Sequence, residues 1–251
     1  QMLEQGMRLM CTNIDVDSVV EDKVIQAAIK LRNKYKDSIE IKYVNQTHYG
    51  VLDKQERYWF DKGAEFVDFI GGLPEADRKA ENGEERHLNV LMETAKKHNK
   101  MVHVHVDQFN SPDQKQTRML AEKTIEHGMH GKVVGIHGVS LAAQEKAYRQ
   151  KTYEIMKEAG LMMIVCPAAW LDSKRSERLM PFHNSCPPVD EFIEQGIVVG
   201  IGTDGIVDMY TPWCDGEMWF ELRALTHICR LSYIDDIVKI ATVNSWKALG
   251  L

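Results

Sequence analysis

Apolar positions along this chain fall into two alternating regimes. Short, nearly continuous apolar runs occupy residues 7–14, 39–46, 66–70, 101–106, 133–137, 161–165 and 197–202. Each has strand length, and continuous rather than alternating hydrophobicity marks a strand covered on both faces. Between them the apolar residues return at helical spacing, over 18–36, 54–64, 83–99, 113–128, 141–159 and 188–195. Two further helical stretches, 216–230 and 233–248, follow the last strand. Asp17-Ser18 is read as the cap of the first helix, and Ser111-Pro112 as the start of another with Pro near N1. Gly128, Gly160 and Gly196 stand where helices should stop. Residues 1–5 read as the last turn of a helix capped by Gly6, so the chain is expected to begin in the middle of a fold.

Strands alternating with amphipathic helices predict an α/β protein with a parallel sheet. Seven strands preceded by a helix remnant fit a TIM-type (β/α)8 barrel that lacks its first strand in this chain. A doubly wound open sheet is the alternative, but no glycine-rich phosphate loop follows any strand. No Pro/Ser/Gly-rich linker divides the sequence, so residues 1–251 are expected to form one domain. The longest irregular stretch, 167–187, reads as a loop over one end of the sheet.

Composition narrows the function classes. The 251 residues carry 31 Lys+Arg against 37 Asp+Glu, a formal net charge of −6. No basic stretch could neutralise a row of phosphates, so nucleic acid is not an expected partner. No apolar run reaches the roughly 18 residues of a membrane helix. The five cysteines form no CxxC, and free thiols in a reducing compartment, the cytoplasm, are expected.

Polar residues at the C-terminal ends of the strands carry the chemistry, because parallel α/β proteins place their sites there. In His103-Val104-His105-Val106-Asp107-Gln108, alternation puts His103, His105 and Asp107 on one face. Two imidazoles inside such a strand suit either a borderline metal or a hydrogen-bonded core pair, and Asp107 could orient a ligand. His137, after Gly135-Ile136, is a ligand or a base for a bound water. Asp204, between Gly202-Thr203 and Gly205, offers a hard oxygen and a proton acceptor, or a turn. Asn45-Gln46-Thr47-His48 offers an amide to a substrate edge. Tyr210 and Trp213 could stack on a flat ring or pack under a loop.

The motifs at 105–108, 133–137 and 202–205 resemble those of the amidohydrolase superfamily, in its cytosine deaminase-like branch. The similarity runs over nearly the whole chain. It implies a (β/α)8 barrel holding one divalent metal, zinc or iron with manganese also admissible. It implies hydrolysis of a C–N bond in a small, heterocyclic substrate, by deamination or amide or cyclic amidine hydrolysis, through attack of a metal-bound hydroxide. By that resemblance His105, His137 and Asp204 are metal ligands, and His137 and Asp204 are catalytic. Gln46 and His137 contact substrate. Gln108 holds the place of a catalytic, substrate-contacting glutamate. Three features depart from the pattern. The family's metal-ligating HxH pair on strand one has no counterpart, Gln108 replaces the glutamate, and Gly205 replaces an acidic residue that helps cytosine binding. The last two argue against cytosine itself. The family also continues past position 251, so both ends read as trimmed. An incomplete barrel that binds without turnover is the competing expectation. Its open edges would favour pairing with another chain, leaving a homo-oligomer possible.

Overall fold

The computed structural model describes residues 2–46, 48–170, 186–209 and 212–251. Thr47, Tyr210 and most of the 167–187 stretch lie outside the described residues. The strands are β1 (Leu9–Asp15), β2 (Glu40–Gln46), β3 (Phe69–Gly72), β4 (Val102–Val106), β5 (Val133–His137), β6 (Met162–Val165) and β7 (Val199–Ile201). The helices are α1 (Lys23–Tyr35), α2 (Lys54–Phe66), α3 (Gly83–His98), α4 (Gln116–Glu126), α5 (Lys146–Ala159), α6 (Val189–Glu194), α7 (Met218–Ile228), α8 (Ile234–Ala241) and α9 (Val243–Ala248).

All seven strands are parallel, and their order in the sheet is their order in the chain. A doubly wound sheet reverses its strand order at a switch point, and this one does not. The sequential order is that of a barrel wall. Among the described residues, β1 and β7 each pair with one strand only.

Register separates two faces. Val102, Val104 and Val106 of β4 join a large cluster with Leu88, Leu91 and Leu120 from the surrounding helices. On the opposite face, one rung runs Asp15, Gln46, and then Gly71, His103, Val134 and Met162. A rung towards the strand starts holds Val44 and Phe69, which pack with Leu249. Ala248 packs on Val134 and Met162. The end of the chain therefore plugs the bottom of the concave face. Gly200 makes this possible: a Cβ there would come within 2.9 Å of Ser245 Oγ on α9.

Several local expectations need correction. Asp17 does not cap α1. Its carboxylate accepts from the Val19 and Val20 amides and forms a separate turn ahead of Lys23. Ser111-Pro112 stays in a loop, and α4 starts at Gln116. The single helix expected over 233–248 is two, broken at Thr242, whose ψ is −96°. Gly6 does cap a short 3-10 turn, Leu3–Gln5, with φ 86°. Among the described residues no helix is long and apolar enough to cross a membrane.

Candidate active site

The two faces decide what the C-terminal ends of the strands can present. His103 and His105 share the concave face. His103 is fully buried, stacks on Phe69 at 4.5 Å between ring centroids, and bonds the Ala248 backbone. It is a core histidine holding α9 under the site. His105, one rung higher, is nearly buried and faces His137, with His105 Nδ1 and His137 Nε2 3.0 Å apart.

That contact could not have been read from alternation. His137 is in register with Val106, which points to the helices. A regular backbone would send His137 outward too. Instead its φ is +80°, and the turned backbone brings the imidazole round to His105. Asp107 (φ 52°) and Asp204 (φ 60°) occupy the same left-handed region. Three non-glycine residues so placed at strand ends are stored local strain, which collects at functional sites.

Burial sets the charges. It pushes His137 down to about 3 and His105 down to about 3, with His137 adding to the shift and the Asp204 carboxylate opposing it. Both rings are neutral at neutral pH. Desolvation raises Asp204, interaction with His105 opposes this, and Asp208 adds to it. His105 Nε2 is buried without a hydrogen-bond partner, as is Gln46 Oε1. Such orphans call for an occupant.

The unpartnered donor is His105 Nε2, and the Asp204 carboxyl acts electrostatically on the same ring. Imidazole and carboxylate together suit a borderline divalent ion. The described residues nevertheless gather no set of three His, Cys, Asp or Glu side chains able to hold one. The structure joins His105 to His137 and couples His105 to Asp204, and it does not converge all three on one point.

Asp107 does not reach towards a metal. Its carboxylate accepts from the Gln116 amide at 2.7 Å and the Thr117 amide at 3.0 Å, while its own amide donates to Gln116 Oε1. It thereby caps α4 from nine residues away and fixes the turn that carries half-buried Gln108. Gln46 ends β2 on the concave face, on the rung of Asp15 and His103. Trp213 is 94% exposed; Tyr210 lies outside the described residues.

Sequence reasoning missed two features. Glu221, on α7, is 1% exposed and accepts the Ala168 amide at 2.9 Å. Burial, reinforced by Asp204, pushes its carboxyl up to about 7. The available signal was a carboxylate inside the apolar run Met218–Leu222. Asp15 ends β1 and bonds His48 at 3.3 Å, which raises the His48 imidazole. Both act electrostatically on His105. Alternation of Cys11, Asn13 and Asp15 on the concave face was the signal there.

The neutral imidazoles predict an acid-labile fold. His103 (about 4), His105 and His137 (about 3 each) are depressed below the unfolded value of 6.5. Unfolding therefore takes up protons below pH 6.5, and stability is lost as the pH falls from there towards 4. Burial also lowers His87, which adds to the loss, while Asp107, Asp204, Glu221 and His48 are raised and act in the opposite sense, so the net decline is shallower than the imidazoles alone would give. Urea midpoints measured with chelator at pH 7 and pH 5 should show the decline. Equal midpoints would mean the imidazoles are not buried neutral.

The sequential parallel sheet and strand-end histidines define an amidohydrolase-like α/β protein. The profile of the amidohydrolase family matches residues 15–251, and the chain belongs to that family. An uncharacterised protein of Haemophilus influenzae is 50% identical over 194 residues, covering 77% of this chain and 70% of that one. The N-isopropylammelide isopropyl amidohydrolase of Pseudomonas sp. (strain ADP) is 26% identical over 211 residues, 82% of this chain and 48% of its own. Among solved structures, the 5-methylcytosine deaminase of Klebsiella pneumoniae liganded with 5-fluorocytosine superposes with a TM-score of 0.92 at 25% identity. All of this chain is covered there, and 61% of the deaminase. The chain thus spans about half to two thirds of these two relatives.

Proposed function

We propose that residues 1–251 form the larger part of one barrel domain that hydrolyses a C–N bond of a small nitrogen heterocycle, releasing ammonia or an amine. The observation that carries this is the buried His105–His137 pair, with His105 Nε2 unpartnered and the Asp204 carboxyl acting electrostatically on the same ring. Family membership and the two named relatives support the reaction class.

Each residue then has a task. His105 and Asp204, joined by His137 once its bond to His105 is released, are the donors this chain offers to one divalent ion, zinc, iron or manganese. When bound, such an ion supplies a Lewis acid that brings the pKa of water towards neutrality. The remaining ligands would come from an eighth strand seated between the open edges of β1 and β7. Asp204, its carboxyl raised by desolvation, takes the proton of the attacking water and passes it to the leaving nitrogen. Until that bond is released, His137 fixes the orientation of the His105 ring. Gln46 presents an unpartnered carbonyl oxygen to a substrate N–H. Gln108 can bond a ring nitrogen but has no ionisable proton to give, which favours a ring that needs no protonation there over cytosine.

The competing reading, an incomplete barrel that binds without turnover, draws on the absence of a three-donor cluster among the described residues. Incubation with zinc, iron or manganese and a panel of aminopyrimidines, N-alkylaminotriazines and cyclic ureas separates the two. Release of ammonia or alkylamine from at least one ring is expected. Protein that, with the eighth strand restored, retains no metal and releases neither product would overturn the hydrolase reading.

A further inference from the structure

Four of the five cysteines surround β7 and the turn that carries Asp204, and the site chemistry uses none of them. The Cys166 sulfur is bonded by the Asp204 backbone. Cys214 Sγ approaches the Thr203 carbonyl at 3.7 Å. Cys186 and Cys229 lie with their sulfurs 3.9 Å apart, and both are free thiols. Cys186 is buried three residues before α6, and Cys229 follows the last residue of α7. These helices come immediately before and after β7 and its Asp204 turn in the chain.

We propose that Cys186 and Cys229 are a redox modification site, closed to a disulfide by a hydroperoxide. The two sulfurs, already in contact, must close from 3.9 Å to the roughly 2.05 Å of an S–S bond. Metal binding is the other use of paired thiols, but among the described residues no third His, Cys, Asp or Glu joins them. The two thiols also differ in readiness. The two sulfurs share one hydrogen bond in which either can donate, and Cys186 is the more buried of the two. Cys229, which is half-buried, is the sulfur a peroxide meets first.

The chemistry balances. The Cys229 thiolate attacks one peroxide oxygen, the O–O bond breaks, hydroxide leaves, and a sulfenic acid forms. The Cys186 sulfur then attacks the Cys229 sulfur, the S–O bond breaks, and the departing hydroxide takes the Cys186 proton as water. Both sulfurs are oxidised and the peroxide is reduced to water. The new bond ties the approach to α6 to the end of α7, across β7.

Hydrogen peroxide added in small molar excess to the full reduced chain tests this. The free-thiol count under denaturing conditions should fall from five by two, and dithiothreitol should restore it. Peptide mapping should show one cross-link, Cys186 to Cys229, and amide exchange across 202–205 should slow. The Cys186→Ser variant should instead trap a dimedone-reactive sulfenic acid at Cys229. A cross-link between any other pair, or oxidation of Cys229 to the sulfinic acid while Cys186 stays a thiol, would overturn the assignment. So would an unchanged thiol count. None of these readouts depends on turnover, so the proposal stands or falls apart from the hydrolase reading.

Discussion

Replacing Asp204 by Asn is expected to lower kcat/KM for product release by about a thousandfold, the range general acid–base groups supply, while leaving the fold intact. The amide keeps the shape of the carboxyl but can neither accept the water proton nor return it to nitrogen. The backbone argument makes the variant clean. Asp204 sits at φ 60°, and Asn is among the few residues that enter this region at little strain. Asp204 is solvent-exposed, so a neutral side chain of the same shape should leave the thermal midpoint nearly unchanged. An alanine at 204 would confound the measurement, because it loses the function and strains the turn together. Steady-state kinetics beside a thermal melt settles it. Activity within tenfold of the parent would remove Asp204 from proton transfer.

The pattern of apolar runs located the seven strands among the described residues, because each presents an apolar face to the helices. It misplaced β3 by two or three residues. Gly71 and Gly72 read as a turn, yet they belong to the strand: a Cβ at Gly71 would lie 2.2 Å from Val44 Cγ1 and 2.3 Å from the Asn45 carbonyl. Helix starts were harder, since the groups that satisfy the first amides need not be local. The α4 amides are capped by Asp107, nine residues upstream, so the Ser111-Pro112 signal was overruled by a contact made through the fold. At the site, residue type and strand-end position singled out His105, His137 and Asp204, of which the structure brings His105 and His137 into contact. The His105–His137 bond was hidden, because it depends on a positive φ that a histidine rarely adopts. Glu221 was hidden because helical spacing gives no sign that a lone carboxylate faces inward.

Asp77→Ala should destabilise the fold by about 3–5 kcal/mol, the largest loss expected from a single side chain away from the catalytic residues. One atom, Asp77 Oδ2, accepts both the Val51 amide at 2.8 Å and His87 Nδ1 at 2.7 Å. It joins the loop after β2, the turn after β3 and the second turn of α3. His87 is fully buried, and burial lowers its imidazole despite the neighbouring carboxylate. Truncation therefore leaves a buried ring N–H and a buried amide without their protein acceptor. Asp77→Asn is the discriminating partner. Its carbonyl oxygen can still accept from both donors, so the loss should shrink to about 1 kcal/mol, the net worth of one weakened hydrogen bond. Urea unfolding of both variants gives the comparison. Similar losses in the two would mean the negative charge matters. A small loss in both would mean that this junction is held by packing of α3 alone.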